Sequence, residues 1–211
     1  MKPAMKQAGT PMFLPEVENN PQAGSRGDNI RTMQAAGREY PLIWHLFAYH
    51  PEAGEHLSRL TQEIMRGDCV LTAGFRELIA AYTSWGNRCS FCSKYHVAVA
   101  AEMLGVSQEY VWKAVRDLEE SPLPEKEKAL LRFVDRVNHH AQEVGPEDIA
   151  PLREVGWTDE AIYYAITVCA LFNFYNRWVG ASGVHPMSEE AHRESGARTA
   201  SSGYISKPVR T

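Results

Sequence analysis

"FRELIAAYTSWGNRCSFCSKYHVAVAAEMLG", from Phe75 to Gly105, is the stretch on which the fold turns. Apolar residues recur at helical spacing on both sides of "GN" at Gly86 and Asn87, and Gly105 closes the second run, so it reads as two helices reversed about one turn. Thr72 is placed to cap the first helix and Asn87 the second. Two of the chain's four cysteines, Cys89 and Cys92, then open the second helix, with His96 one turn further on. Unpaired N–H groups and the positive end of the helix dipole favour a thiolate there. Cys89, Cys92 and His96 share one face, and a single helical turn brings the two thiols close enough for a disulfide. Glu77 lies nine residues before Gly86 and His96 ten after it. In an antiparallel hairpin rising roughly 1.5 Å per residue, the two sit at similar heights. A carboxylate beside an imidazole raises its basicity and fixes its tautomer, so the group reads as a proton relay attached to a redox pair.

The chain of 211 residues is long enough for one well-buried domain with arms and short for two. It is 44% hydrophobic and 23% charged, with a formal charge of -4, which offers no basic patch for nucleic acid. The start, "MKPAMKQAGTPMFLPEVENN", lacks the apolar core of a secretion signal. A cytoplasmic protein is therefore expected. The longest charge-free apolar run, Ala161 to Asn176, falls short of the roughly 20 residues of a membrane span and reads as a buried helix. In a reducing compartment a close cysteine pair points to redox chemistry or a metal rather than to a structural framework.

The organisation reads as all-α. Residues 1–40 form an arm with an apolar patch at Met12 to Leu14 and a short helix near Asp28; residues 41–187 form the helical domain; residues 188–211 form a polar tail, expected to be disordered unless a neighbouring subunit holds it. A helix is predicted from about Pro51 to Arg66, with Leu57, Leu60, Ile64 and Met65 as its apolar side. Ser107 is the cap of another. Tyr163, Tyr164, Phe172, Phe174, Tyr175 and Trp178 cover more than one helix face, which implies deep burial together with a subunit interface. Asn173, Asn176 and Arg177 interrupt that surface and are expected to bond across helices or subunits.

The pattern E-x11-C-x2-C-x3-H, realised as Glu77, Cys89, Cys92 and His96, resembles the AhpD-like alkylhydroperoxidases of the carboxymuconolactone decarboxylase superfamily, nearest to the peroxidase-related branch. "FLPEVE" in the arm and "LFNFYNRWVGASGV" near the end extend the resemblance from about Phe13 to Val184. It implies an AhpD-like helical fold, trimers or hexamers, and reduction of small hydroperoxides without metal or other cofactor, the disulfide being returned to thiols by a thioredoxin-like or lipoyl dithiol. By the same resemblance Cys92 is the cysteine attacked by peroxide, Cys89 the more exposed partner that closes the disulfide, and Glu77 with His96 the relay. The residues themselves leave the order open, since the helix dipole favours Cys89 as the more acidic thiol and the contact with His96 favours Cys92. The better-known enzymes also carry a histidine just before the second cysteine, where this chain has Phe91.

Other readings of the same residues are weaker. His96 alone would be an ordinary core histidine and Glu77 a solvated helix residue; their value is joint. Zinc would need a fourth ligand, and His139 and His140, the nearest candidates, are expected to face solvent. Cys169 reads as a small core residue, and Cys69 sits in a turn without an evident partner. Two alternatives to a peroxidase remain: an acid–base enzyme of the decarboxylase type, which needs no cysteine pair, and a disulfide-switched sensor without turnover.

Overall fold

The computed structural model describes residues 10–207, so the first nine residues of the predicted arm and the last four of the predicted tail lie outside the described residues. Among the described residues the chain is helical with no strand. In chain order the helices are α1 (Pro15–Asn19), α2 (Ser25–Ala35), α3 (Ile43–Tyr49), α4 (Pro51–Arg66), α5 (Ala73–Gly86), α6 (Ser90–Leu104), α7 (Gln108–Arg116), α8 (Glu125–His140), α9 (Pro146–Glu154), α10 (Asp159–Ser182) and α11 (Glu189–Ser202).

The predicted hairpin is the centre of the fold. α5 and α6 pack along each other, α7, α8 and α10 close on α5, and α11 lies on α6. The caps follow local chemistry: Thr72 Oγ1 accepts from Phe75 N–H at 3.2 Å, Ser107 Oγ from Tyr110 N–H at 3.1 Å, and Gly105 ends α6 in the left-handed region at φ 67°. Leu78, Ile79, Val97, Leu130, Leu131 and Phe172 are at most 2% exposed in the main core, each contributing about 1.5–3 kcal/mol by leaving water. Alanines at 80, 81, 98, 100 and 101, all buried, let the central helices approach closely.

Three expectations are corrected. Cys89, not Asn87, caps α6, because Arg88 takes a left-handed turn at φ 57° and Asn87 instead ends α5, its N–H bonded to Thr83 O. The tail predicted to be disordered forms α11, whose buried residues, Ala191, His192, Ser195, Gly196 and Thr199, are small or polar. Ser188 Oγ caps it at Ala191 N–H, 3.2 Å away, and a Cβ on Gly196 would stand 2.6 Å from Ala98 Cβ, so the close fit against α6 needs glycine. α4 has its predicted span but buries Gly54, Ser58, Thr61 and Met65, while Leu60 is 50% exposed. Its inner face is polar because it borders a cavity.

The arm crosses the end of α10, with Met12 buried and Phe13 N–H donating to Ser182 O at 2.9 Å. The asparagines act across helices as expected: Asn87 Nδ2 donates to Asn138, Asn173 and Asn176, and Asn176 Nδ2 to Ser84 Oγ, pinning the α5–α6 turn to α8 and α10. Tyr175 and Phe172 of α10 are buried, whereas Tyr163, Ile166 and Phe174 are exposed. Among the described residues no helix is long and apolar enough to cross a membrane.

Candidate functional site

The turn held by the asparagines delivers Cys89 to the N-terminus of α6, where its Sγ accepts from Cys92 N–H at 3.4 Å. Cys89 and Cys92 are joined in a disulfide with their Cα atoms 5.3 Å apart. Both are buried, Cys89 at 8% exposure and Cys92 at 3%. What separates them is direction. Both belong to the apolar cluster that holds Met12, Leu46, Val179, Val184 and Met187, but Cys92 also lines a cavity of about 580 Å³ together with His96, and Cys89 does not.

The hairpin sets Glu77 against His96 as the residue count required: His96 Nδ1 lies 2.7 Å from Glu77 Oε2. An ionised carboxylate only accepts, so the neutral ring carries its proton on Nδ1 and presents the Nε2 lone pair. Among the described residues Nε2 has no hydrogen-bond partner. The ring is held edge-on to Phe172, centroids 4.4 Å apart. Glu77 is wholly buried, and its other oxygen, Oε1, accepts from Tyr204 O–H and from Arg66 Nη1, each at 2.7 Å. Burial pushes the Glu77 carboxyl up, but the His96 hydrogen bond and charge, Arg66 and Tyr204 together hold it below its ordinary range. Burial beside Glu77 puts the Tyr204 hydroxyl well above its ordinary value, so it donates rather than ionises.

Arg66 and Tyr204 were not singled out in the sequence. Tyr204 had a signal, an aromatic residue next to Ile205 in a polar stretch; Arg66, at the end of an amphipathic helix, had none. Phe91 forms part of the cavity wall, stacked on Tyr95 with centroids 5.8 Å apart and equally close to His192. Burial holds the His192 imidazole down to about 4, so it stays neutral. His139 and His140 are exposed, Cys169 is fully buried with its thiol pushed up to about 11 by burial, and Cys69 donates to Leu71 O at 3.2 Å. None of the four reaches the cavity.

Residues 51–135, from the start of α4 into α8 and so spanning the hairpin, match the carboxymuconolactone decarboxylase family. An uncharacterized peroxidase-related protein from Ralstonia eutropha JMP134, with an AhpD alkylhydroperoxidase core, is 25% identical over 82% of this chain and 89% of its own, at a TM-score of 0.69. The chain shares this AhpD-like helical fold. Two further members of this fold are similar at lower identity. A peroxidase-related protein from Silicibacter sp. TM1040 is 23% identical over 89% of this chain and 98% of its own, at a TM-score of 0.73. The debrominase Bmp8 is 20% identical over 80% of this chain and 89% of its own, at 0.62. These two share the AhpD-like architecture, which is all that identity at that level carries. No curated protein matches the chain significantly.

Proposed function

We propose that the protein is a thiol-dependent peroxidase that reduces organic hydroperoxides through Cys92 and Cys89. The observation that supports this reading most is that Cys92 and His96 line one cavity while Glu77 fixes the His96 tautomer from behind. His96 Nε2 takes the proton of the Cys92 thiol. The thiolate attacks the distal oxygen of the hydroperoxide, the O–O bond breaks, and the alkoxide leaves as an alcohol by taking back that proton. Cys92 is then a sulfenic acid. The Cys89 thiol attacks its sulfur, hydroxide departs as water with the thiol proton, and the disulfide closes. An external dithiol of thioredoxin or lipoyl type, as a cytoplasm would supply, restores both thiols by exchange. Peroxide is thereby reduced by two electrons and the dithiol oxidised by two.

The test is a thiol count. One equivalent of cumene hydroperoxide added to reduced protein should lower the thiols titrated after denaturation from four to two, leaving Cys69 and Cys169. Cys92→Ser should not react, and Cys89→Ser should consume one equivalent and stop at a trappable sulfenic acid. Four thiols surviving peroxide refutes the reading; oxidation without turnover on added dithiol makes the protein a switch instead.

A further inference from the structure

The cavity above Cys92 is bordered by two guanidinium groups that have no carboxylate. Arg26, from α2, has Nη2 3.5 Å from the Tyr204 carbonyl and Cζ 5.5 Å from the Trp44 ring centroid. Arg198, from α11, donates to Ser195 Oγ at 2.9 Å, and its Cζ lies 5.8 Å from the same Trp44 ring. Among the described residues neither forms an ion pair, whereas the two arginines of α4 do: Arg59 with Glu55 and Arg66 with Glu77. Glu55 is the carboxylate that acts on Arg26 from a distance, and it is already bound to Arg59 at 2.9 Å. Burial pushes the Arg26 guanidinium below its ordinary value, and Arg198 adds like charge to it.

A half-buried cation with a second one beside it and no counter-charge is costly unless something supplies the charge. The space next to the pair supplies the rest of the description. It is walled by Trp44, Phe47, Phe91 and Phe172, with Ser58 and Thr61 as hydroxyls, and its volume of about 580 Å³ suits an organic molecule. We propose that the cavity binds an amphipathic organic acid, its carboxylate held by Arg26 and Arg198 and its apolar body laid along the aromatic wall toward Cys92. A guanidinium pairs with a carboxylate in a planar, two-point fashion, and the aromatic wall favours a body of ring or acyl type. Taken with the peroxidase reading, on which this last step rests, the substrate is a hydroperoxide that carries a carboxylate at the end remote from its O–O bond.

The binding is testable without the chemistry. Calorimetric titration of the reduced full chain uses 2-naphthylacetic acid, its uncharged amide, and 2-naphthyl phosphate. The acid should bind about 10- to 100-fold more tightly than the amide, the range for a hydrogen bond to a charged group. Arg26→Gln and Arg198→Gln should each bring the ratio toward one while the amide, as a check on folding, binds as before; Arg26→Lys should keep part of the preference. Equal binding of acid and amide to the wild type, absence of binding by either, or a ratio untouched by both glutamine variants overturns the proposal. The phosphate binding more tightly than the acid overturns the carboxylate assignment. A hydroperoxide with a free carboxylate should have a KM about 10-fold or more below that of its methyl ester in the wild type alone. Acid binding with no peroxide consumption supports the cavity assignment and refutes the peroxidase reading; peroxide consumption with no preference for acid does the reverse.

Discussion

Glu77→Gln isolates what the buried carboxylate does. Three donors converge on it, from His96, Tyr204 and Arg66, and the Arg66 side chain is only 11% exposed. Removing one member of a buried ion pair costs about 3–5 kcal/mol, since the remaining charge keeps its desolvation without its partner. Glutamine still offers one acceptor oxygen, which places the expectation at the low end, about 3 kcal/mol at pH 7. For a chain of this size that lowers Tm by about 6–12 °C. The pH dependence follows from the direction of the Glu77 shift. Its carboxyl is held below the ordinary 4.5 in the folded protein, so its contribution is complete above that value and is lost as pH falls through the folded one. Wild type therefore loses stability in acid that Glu77→Gln no longer has to lose, and the gap between them narrows below pH 4.5. Urea unfolding at pH 7 and in acid measures this. Adding Arg66→Met should recover about 1–3 kcal/mol relative to the sum of the two single changes, because the stranded charge is gone. A Glu77→Gln loss under about 1 kcal/mol at pH 7, or strict additivity with Arg66→Met, refutes the account.

Two further outcomes are expected. Gly196→Ala should destabilise the protein by about 1–3 kcal/mol in thermal or urea unfolding, because the new methyl meets Ala98 and lifts α11 from α6. The exposed Tyr163, Ile166 and Phe174 on α10 are expected to be covered by further copies of the chain, as a trimer or hexamer; a mass of 23.7 kDa in dilute native solution refutes this.

The parts of this fold that were legible in the sequence are those set by near neighbours. Thr72, Ser107 and Gly105 declare helix ends through their own backbone chemistry, and the distance from Gly86 to Glu77 and to His96 is a matter of counting turns. What was not legible depends on where the chain returns. Tyr204 meets His96 across 108 residues of sequence, and Arg26 meets Tyr204 across 178. The order of the tail is not visible in its apolarity, because Ala191, Ser195, Gly196 and Thr199 are buried by smallness. The inner face of α4 escapes the apolar pattern for the converse reason: Ser58 and Thr61 face inward because what lies there is a cavity and not a packed core. The cap of α6 falls at Cys89, two residues beyond the predicted Asn87, because the left-handed Arg88 intervenes.

The burial of Cys89 beneath the arm has a kinetic consequence. A thiol breaks a disulfide by approaching in line with the S–S bond, so a reductant that attacks Cys89 arrives from the side away from Cys92. Met12 of the arm belongs to the same buried cluster as Cys89, while on the proposed peroxidase reading the oxidant is met in the cavity that Cys92 lines. On that reading, oxidant and reductant meet different sulfurs and do not compete for the same space. On the same reading, the rate of return to the thiol state depends on how often the arm, tied down through Phe13 and Ser182, lifts to admit the reductant to Cys89.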